Sequence, residues 1–193
     1  MNRPTHALLL SLLFTSGVAL APAQEIVLPV DPPATATPPE RAASAIESLA
    51  ATGDHKRLLE ALDAAGLSGT LSSLGPLTVF APTDSAFSSS TYMSFSDLLK
   101  EENRGRLGDL LRYHIVAGSI DTATLDARIE SGNDGRVVLT TVGGGKLVVQ
   151  RSAGEYTITD ATNHTARIVV ADVYQRNGVV QVVDAVLRPN NPP

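Results

Sequence analysis

The sequence has no cysteine and no tryptophan. Without cysteine there is no disulfide framework, no thiolate metal site and no cysteine nucleophile. Aromatic residues are only 4% of the chain, so an apolar interior must come mainly from Ala, Val and Leu. Positive charge is also short: 15 Lys and Arg face 20 acids, for a net charge of -5, and the cations are scattered. That pattern lacks the clustered basic footprint of a nucleic-acid binder. Beyond the first 23 residues histidine occurs at His55, His114 and His164, with no pair at metal-ligand spacing. A zinc site is therefore not expected, and no cofactor is indicated.

Only one stretch is long and apolar. Arg3 is followed by a nearly unbroken apolar run from Ala7 to Leu20, and Ala21-Pro22-Ala23 fits an A-x-A cleavage site. The run is short for a bilayer span and small residues crowd its end, which reads as a signal peptide over 1–23, cut after Ala23. No cysteine follows to carry a lipid anchor, and no later stretch could cross a membrane. The expected product is secreted or periplasmic. Cleavage removes Arg3 and no acid, so the mature chain is one unit more negative.

A length of 193 residues suits one ordinary domain with flanking segments. Pro29, Pro32, Pro33, Pro38 and Pro39 mark 24–41 as an extended linker, with the domain boundary near Arg41. A domain of ~150 residues buries about two-thirds of the surface of its unfolded chain, enough for a core without staples. Ser44 and Glu47 form a capping-box pattern ahead of a first helix. Asp54 is placed to cap a second, carrying Leu58, Leu59 and Leu62 and ending at Gly66. Helical spacing continues through Leu71 until Gly75-Pro76.

Thr78 to Phe87, reading T-V-F-A-P-T-D-S-A-F, then joins two structures in ten residues. Thr78, Val79 and Phe80 read as a buried strand. Pro82 ends it, Thr83 caps a helix, and Asp84 sits in the first turn where the helix dipole favours a carboxylate. Phe95 to Tyr113 is mostly helical, with interruptions at Asn103 and Gly105. Tyr113-His114-Ile115-Val116 turns towards strand, and Asp121 or Thr122 opens another short helix. From Arg136 the chain is all β. Gly143-Gly144-Gly145 reads as a hairpin tip, Asn177-Gly178 as a two-residue turn, and Val179 to Leu187 as a last long strand. Helices first and strands afterwards give an α+β class with mainly antiparallel pairing.

Apparent enzyme motifs dissolve on inspection. Gly143-Gly144-Gly145-Lys146 lacks both the leading glycine and the closing Ser or Thr of a phosphate loop. Gly66-Leu67-Ser68-Gly69 is one residue short of a nucleophile elbow and follows a helix. A catalytic carboxylate pair, Asp84 with Asp184, would need both in one pocket. Asn163-His164-Thr165 is a glycosylation sequon.

Three stretches together resemble the fasciclin domain family. Thr78–Phe87 is similar to its first motif, T-V-F-A-P-T-[ND]-x-A-F. Leu110–Val116 resembles its central Tyr-His motif, and Asn177–Pro189 its second long motif, N-G-x-[IV]-H-x-[IV]-D-x-V-L-x-P. The likeness covers about 42–189, leaving 190–193 as a tail, and it departs at Gln181, where the family pattern often has His. The resemblance implies two mainly antiparallel sheets in a wedge, covered on one side by N-terminal helices. It also implies an adhesion or matrix and envelope binding module without a common catalytic activity. The partner would be a cell-surface, matrix or envelope protein or a polysaccharide. Thr83, Asp84, Tyr113, His114, Gln181 and Asp184 are the candidate motif or partner-binding residues. For His114 a satisfied, partly buried histidine stands against a contact residue. A small-ligand or carbohydrate carrier, with a groove between sheet and helices, is the alternative function.

Overall fold

The computed structural model describes residues 44–73, 75–90, 93–132 and 134–190. The expected signal peptide, the linker and all but Asn190 of the expected tail lie outside them.

Six helices come first: α1 (Ala45–Thr52), α2 (Lys56–Ala65), α3 (Ser68–Ser73), then, after strand β1 (Leu77–Pro82), α4 (Asp84–Ser89), α5 (Phe95–Leu98) and α6 (Arg104–Tyr113). Strand β2 (Ile115–Ala117) and helix α7 (Thr122–Ser131) follow. The remainder is β3 (Arg136–Thr140), β4 (Lys146–Ser152), β5 (Glu155–Thr159), β6 (Thr165–Gln175) and β7 (Gly178–Val183). Local chemistry sets most of these bounds. Ser44 and Glu47 close the capping box of α1, and Gly66 ends α2 in the left-handed conformation at φ 69°. Asp121 caps α7 by accepting from the Thr124 N–H at 2.8 Å.

The seven strands hydrogen-bond in the order β2-β1-β7-β6-β5-β4-β3, antiparallel except for β1 beside β7. Strand β6 belongs to both halves of this array. Its residues Thr165–Arg167 pair with β5, and Ile168–Gln175 pair with β7 through two register shifts. The wedge is thus one continuous strand order that turns along β6, and a bridge between Val116 and Thr141 joins its two ends.

Strand alternation divides the interior into two cores. Leu77, Val79 and Ala81 of β1 and Val180 and Val182 of β7 face the helices, where Leu58, Leu62, Phe87, Leu107 and Leu111 meet them. Phe80 and Val183 point the other way, onto Leu139, Leu147, Val149 and Ile158 of the second half and Leu125 of α7. Three of the sequence expectations need correction. The helical stretch 95–113 breaks at Leu99–Lys100 and passes through a 3-10 turn, Glu101–Asn103, whereas Gly105 lies inside α6. The N-cap of α2 is His55, without a side-chain cap bond, rather than Asp54. The last strand stops at Val183, short of Leu187: after a final backbone bond from the Asp184 N–H to the Arg167 carbonyl, the Leu187 and Arg188 N–H groups go to the His114 and Asp160 side chains instead of a ladder.

Candidate functional site

The three motif stretches meet at one seam. β1 pairs with β2 on one side and β7 on the other, and the Phe80 N–H donates to the His114 carbonyl at 2.8 Å. At the end of β1, Thr83 accepts from the Ala86 N–H at 3.2 Å and caps α4. Asp84 looks past its own helix. Its Oδ1 accepts from the Arg57 N–H at 2.8 Å, supplying to α2 the cap that His55 lacks. The buried His55 ring in turn bonds the Pro82 carbonyl at 3.0 Å.

Tyr113 and His114 close α6, and both are buried. The Tyr113 hydroxyl donates to the Lys146 carbonyl at 2.8 Å and accepts from the Ala161 N–H at 2.9 Å, tying α6 to the two turns at the end of the second half. Its ring fills the space above Gly145, where an added Cβ would lie 2.3 Å from Cε2, so glycine is required there. His114 Nδ1 lies 2.8 Å from the Leu110 carbonyl and Nε2 lies 3.0 Å from the Leu187 N. A carbonyl only accepts and an amide N–H only donates. The ring must therefore be neutral with its proton on Nδ1. Burial pushes its pKa down to about 4, against the opposing pulls of the Leu110 carbonyl and Asp160. Burial also raises the pKa of Tyr113.

Gln181 is fully buried on the second-core side of β7. Its Nε2 donates to the Ile120 carbonyl at 3.2 Å and to Asp172 Oδ1 at 2.8 Å, while Oε1 accepts from the Asp172 N–H at 3.1 Å. Asp172, at φ 58° in the irregular part of β6, takes the Thr122 N–H at 2.8 Å and the Thr122 hydroxyl. Thr78 completes the set, donating to the Gly118 carbonyl at 2.6 Å and accepting from the Ile120 N–H at 2.8 Å. The amide at 181 fastens β6, β7 and the 118–122 turn together. Asp184 accepts from the Arg167 N–H at 2.7 Å and from Arg167 Nε at 3.0 Å. The carboxylates of Asp84 and Asp184 thus serve different elements, α2 and β6.

Sequence reasoning passed over His55, Asp172 and Asp160. Asp160 is the more enclosed of the two carboxylates. It gathers the Thr162, His164 and Arg188 N–H groups at 2.8 to 2.9 Å. Asp followed by Thr two residues later is an Asx-turn pattern, so that residue could have been found. For Asp172 the available signal was an acid in the middle of a Val-rich strand.

Beside Tyr113 opens a groove of about 580 Å³ between the glycine hairpin, Asp109 and Pro189–Asn190. The backbone N–H groups of Gly143, Gly144 and Gly145 are already spent on the Arg112 and Thr141 oxygens, so the hairpin offers no anion cradle. Among the described residues no group of three or more His, Asp or Glu could hold a metal ion.

A fasciclin domain model matches residues 53–189. The chain is 33% identical over 150 residues to Protein sll1483 of Synechocystis, covering 78% of this chain and 76% of that one. It is 33% identical over 140 residues to the transforming growth factor-beta-induced protein ig-h3 of Sus scrofa, covering 71% of this chain but 18% of that much longer relative. Among solved structures, a domain pair from the insect cell adhesion molecule Fasciclin I aligns with a TM-score of 0.51 and 23% identity, over 73% of this chain and 46% of that one. The family match spans the seam, its motif residues and both cores: the chain belongs to the fasciclin domain family.

Proposed function

We propose that the chain is an exported, non-catalytic binding module that attaches to an envelope or matrix component. One observation carries this reading. The polar motif side chains spend their hydrogen bonds inside the domain, bracing its elements against one another and leaving no free nucleophile or acid-base pair among these described residues. Kinship with a cell adhesion molecule supports it. In this reading Thr83, Asp84, Tyr113, His114, Gln181 and Asp184 hold the contact surface from beneath. The Ala7–Leu20 run and the A-x-A site support export.

The test is retention of the purified chain on native envelope or matrix without turnover of any component. Loss of retention in His114→Ala at unchanged melting temperature would make the imidazole a contact and not a support. A second reading rests on the groove beside Tyr113, whose volume falls in the range of small-molecule sites. A melting-temperature rise with one class of metabolite or sugar, and no envelope retention, would favour it.

A further inference from the structure

The outward side of β3–β6 is a sheet face whose register sets four rows across the strands, the last pairing Ser152 with the exposed Glu155. One runs from Arg136 to Arg167, the next from Val138 to Thr165, and the third pairs Thr140 with Lys146. The alternate positions, Leu139, Leu147, Val149, Ile158 and Ala166, are buried, so alternation turns these rows to solvent.

The face is electrostatically unlike the rest of a chain whose net charge is -5. Arg167 is neutralised by Asp184, with Glu155 at 4.0 Å. Arg136 and Lys146 have no ion pair or side-chain hydrogen bond among the described residues, including with Asp134 in the turn before β3. The rows of Arg136 and Lys146 lie four residue steps apart along β3, roughly 14 Å at the antiparallel rise. Between them stands Val138, 54% exposed. Two widely spaced, uncompensated cations, short aliphatic side chains and threonine hydroxyls make up the β3 end of the face, with Glu155 and Arg167 facing each other at the other end.

The geometry points to this face as the docking surface for a linear acidic polysaccharide of the uronate kind. Two of its carboxylates would sit on Arg136 and Lys146, and its hydroxylated rings on Val138 and the threonines. The inference rests on the binding-module reading above. Side-chain chemistry selects the partner. A nucleic acid wants stacking aromatics between its cations, whereas the described residues between these two are Val and Thr. An anionic membrane calls for a cluster of about four to eight cations or an inserting apolar side chain. A uronate chain carries one carboxylate on each acidic sugar, with hydroxyls between. A guanidinium grips a carboxylate in bidentate fashion. Each exposed pair is weak, and repetition along the polymer supplies the avidity.

The test is affinity electrophoresis of the purified full chain through gels holding polygalacturonate or neutral dextran. Retardation by polygalacturonate alone is expected, abolished at about 0.5 M salt where screening reaches within a few Å. The R136S/K146S double variant should bind about tenfold more weakly, the size expected when both charged contacts are removed. The control K56S/K100S removes the same charge from exposed positions in α2 and in the bend before the 3-10 turn, and should bind like the parent. Equal loss in both variants, or no loss in the first, overturns the assignment, and melting temperatures establish that both fold. Retention on native envelope with indifference to polygalacturonate would sink the polysaccharide partner and leave the binding-module reading standing. Retention on neither would sink both.

Discussion

The seam between β1, β2 and β7 and the outward side of β3–β5 draw on the same residue types, Val and Thr with a few polar side chains, and use them in opposite ways. At the seam Thr78, His114 and Gln181 are buried, and the side chain of each bonds at least two partners. On the outward side Thr140, Arg136 and Lys146 face water. An unpaired polar group costs about 1–3 kcal/mol where water is excluded and almost nothing where it is not. Residue identity is therefore tightly constrained at the seam and loosely on the outer face. The motif that makes the family recognisable marks what holds the domain together, and the residues that packing leaves free to vary lie elsewhere.

The sharpest way to break that comparison is at Gly178, which pairs with Leu77 in the only parallel contact among the described strands. Its φ is 147°, and a Cβ there would fall 1.7 Å from the Leu77 carbonyl oxygen, a backbone atom that cannot swing aside. Gly178→Ala should cost roughly 4 kcal/mol or more, at the exceptional end for single substitutions. Loss of a cooperative thermal transition by circular dichroism is the expected result. A normal melt would show that the β1–β7 junction is not the keystone.

His114 comes next, and its effect depends on pH. Burial holds its folded pKa near 4, below the ordinary value of 6.5, so the unfolded chain takes up the proton first. Its contribution is full above about pH 6.5 and is lost as the pH falls towards 4, on the order of 3 kcal/mol across the window. Urea titrations of the parent and of His114→Gln should converge as the pH drops from 7 to 4.5. A gap independent of pH would mean that the ring is not held neutral in the folded state.

Gln181→Leu probes the same seam without a titrating group. The shape is kept, but the Ile120 carbonyl and the Asp172 N–H lose their partner. Stranding buried groups of this kind costs about 1–3 kcal/mol. Chemical denaturation measures it. The loss should appear together with faster hydrogen exchange in the 118–122 turn, because Gln181 pins that turn to the strands together with Thr78 and Asp172.

The sequence was legible where one residue's chemistry acts locally. Thr83, Asp121 and the Ser44–Glu47 pair cap the helices they precede, and the glycine hairpin turns where its spacing says. It was less legible where a side chain serves a distant element. Asp84 reads as belonging to α4 because only the fold brings Arg57 to it, 27 positions away. The end of β7 was misplaced for the same reason: Val186 and Leu187 are buried and apolar like a strand, but the Leu187 N–H goes to His114 and the Arg188 N–H to Asp160. The candidate contact residues were chosen for motif identity, and that criterion selects buried supports. The outer face, carrying no motif, could be found only from the strand register.

The smallest expected effect lies on that outer face. Val138 is 54% exposed and sits between Arg136 and Thr140 on the strand at the end of the sheet order, so its methyl groups contact little of the second core. Val138→Ser removes β-branching and some half-covered apolar surface, and substitutions of this kind away from caps, cavities and networks stay within about 0.5 kcal/mol. A melting temperature within a couple of degrees of the parent is expected from so small a change. The same substitution takes away the aliphatic platform between the two free cations, so polygalacturonate retardation should weaken even though stability does not. A large drop in stability with unchanged retardation would reverse the contrast and place the structural burden on the face that is here assigned to recognition.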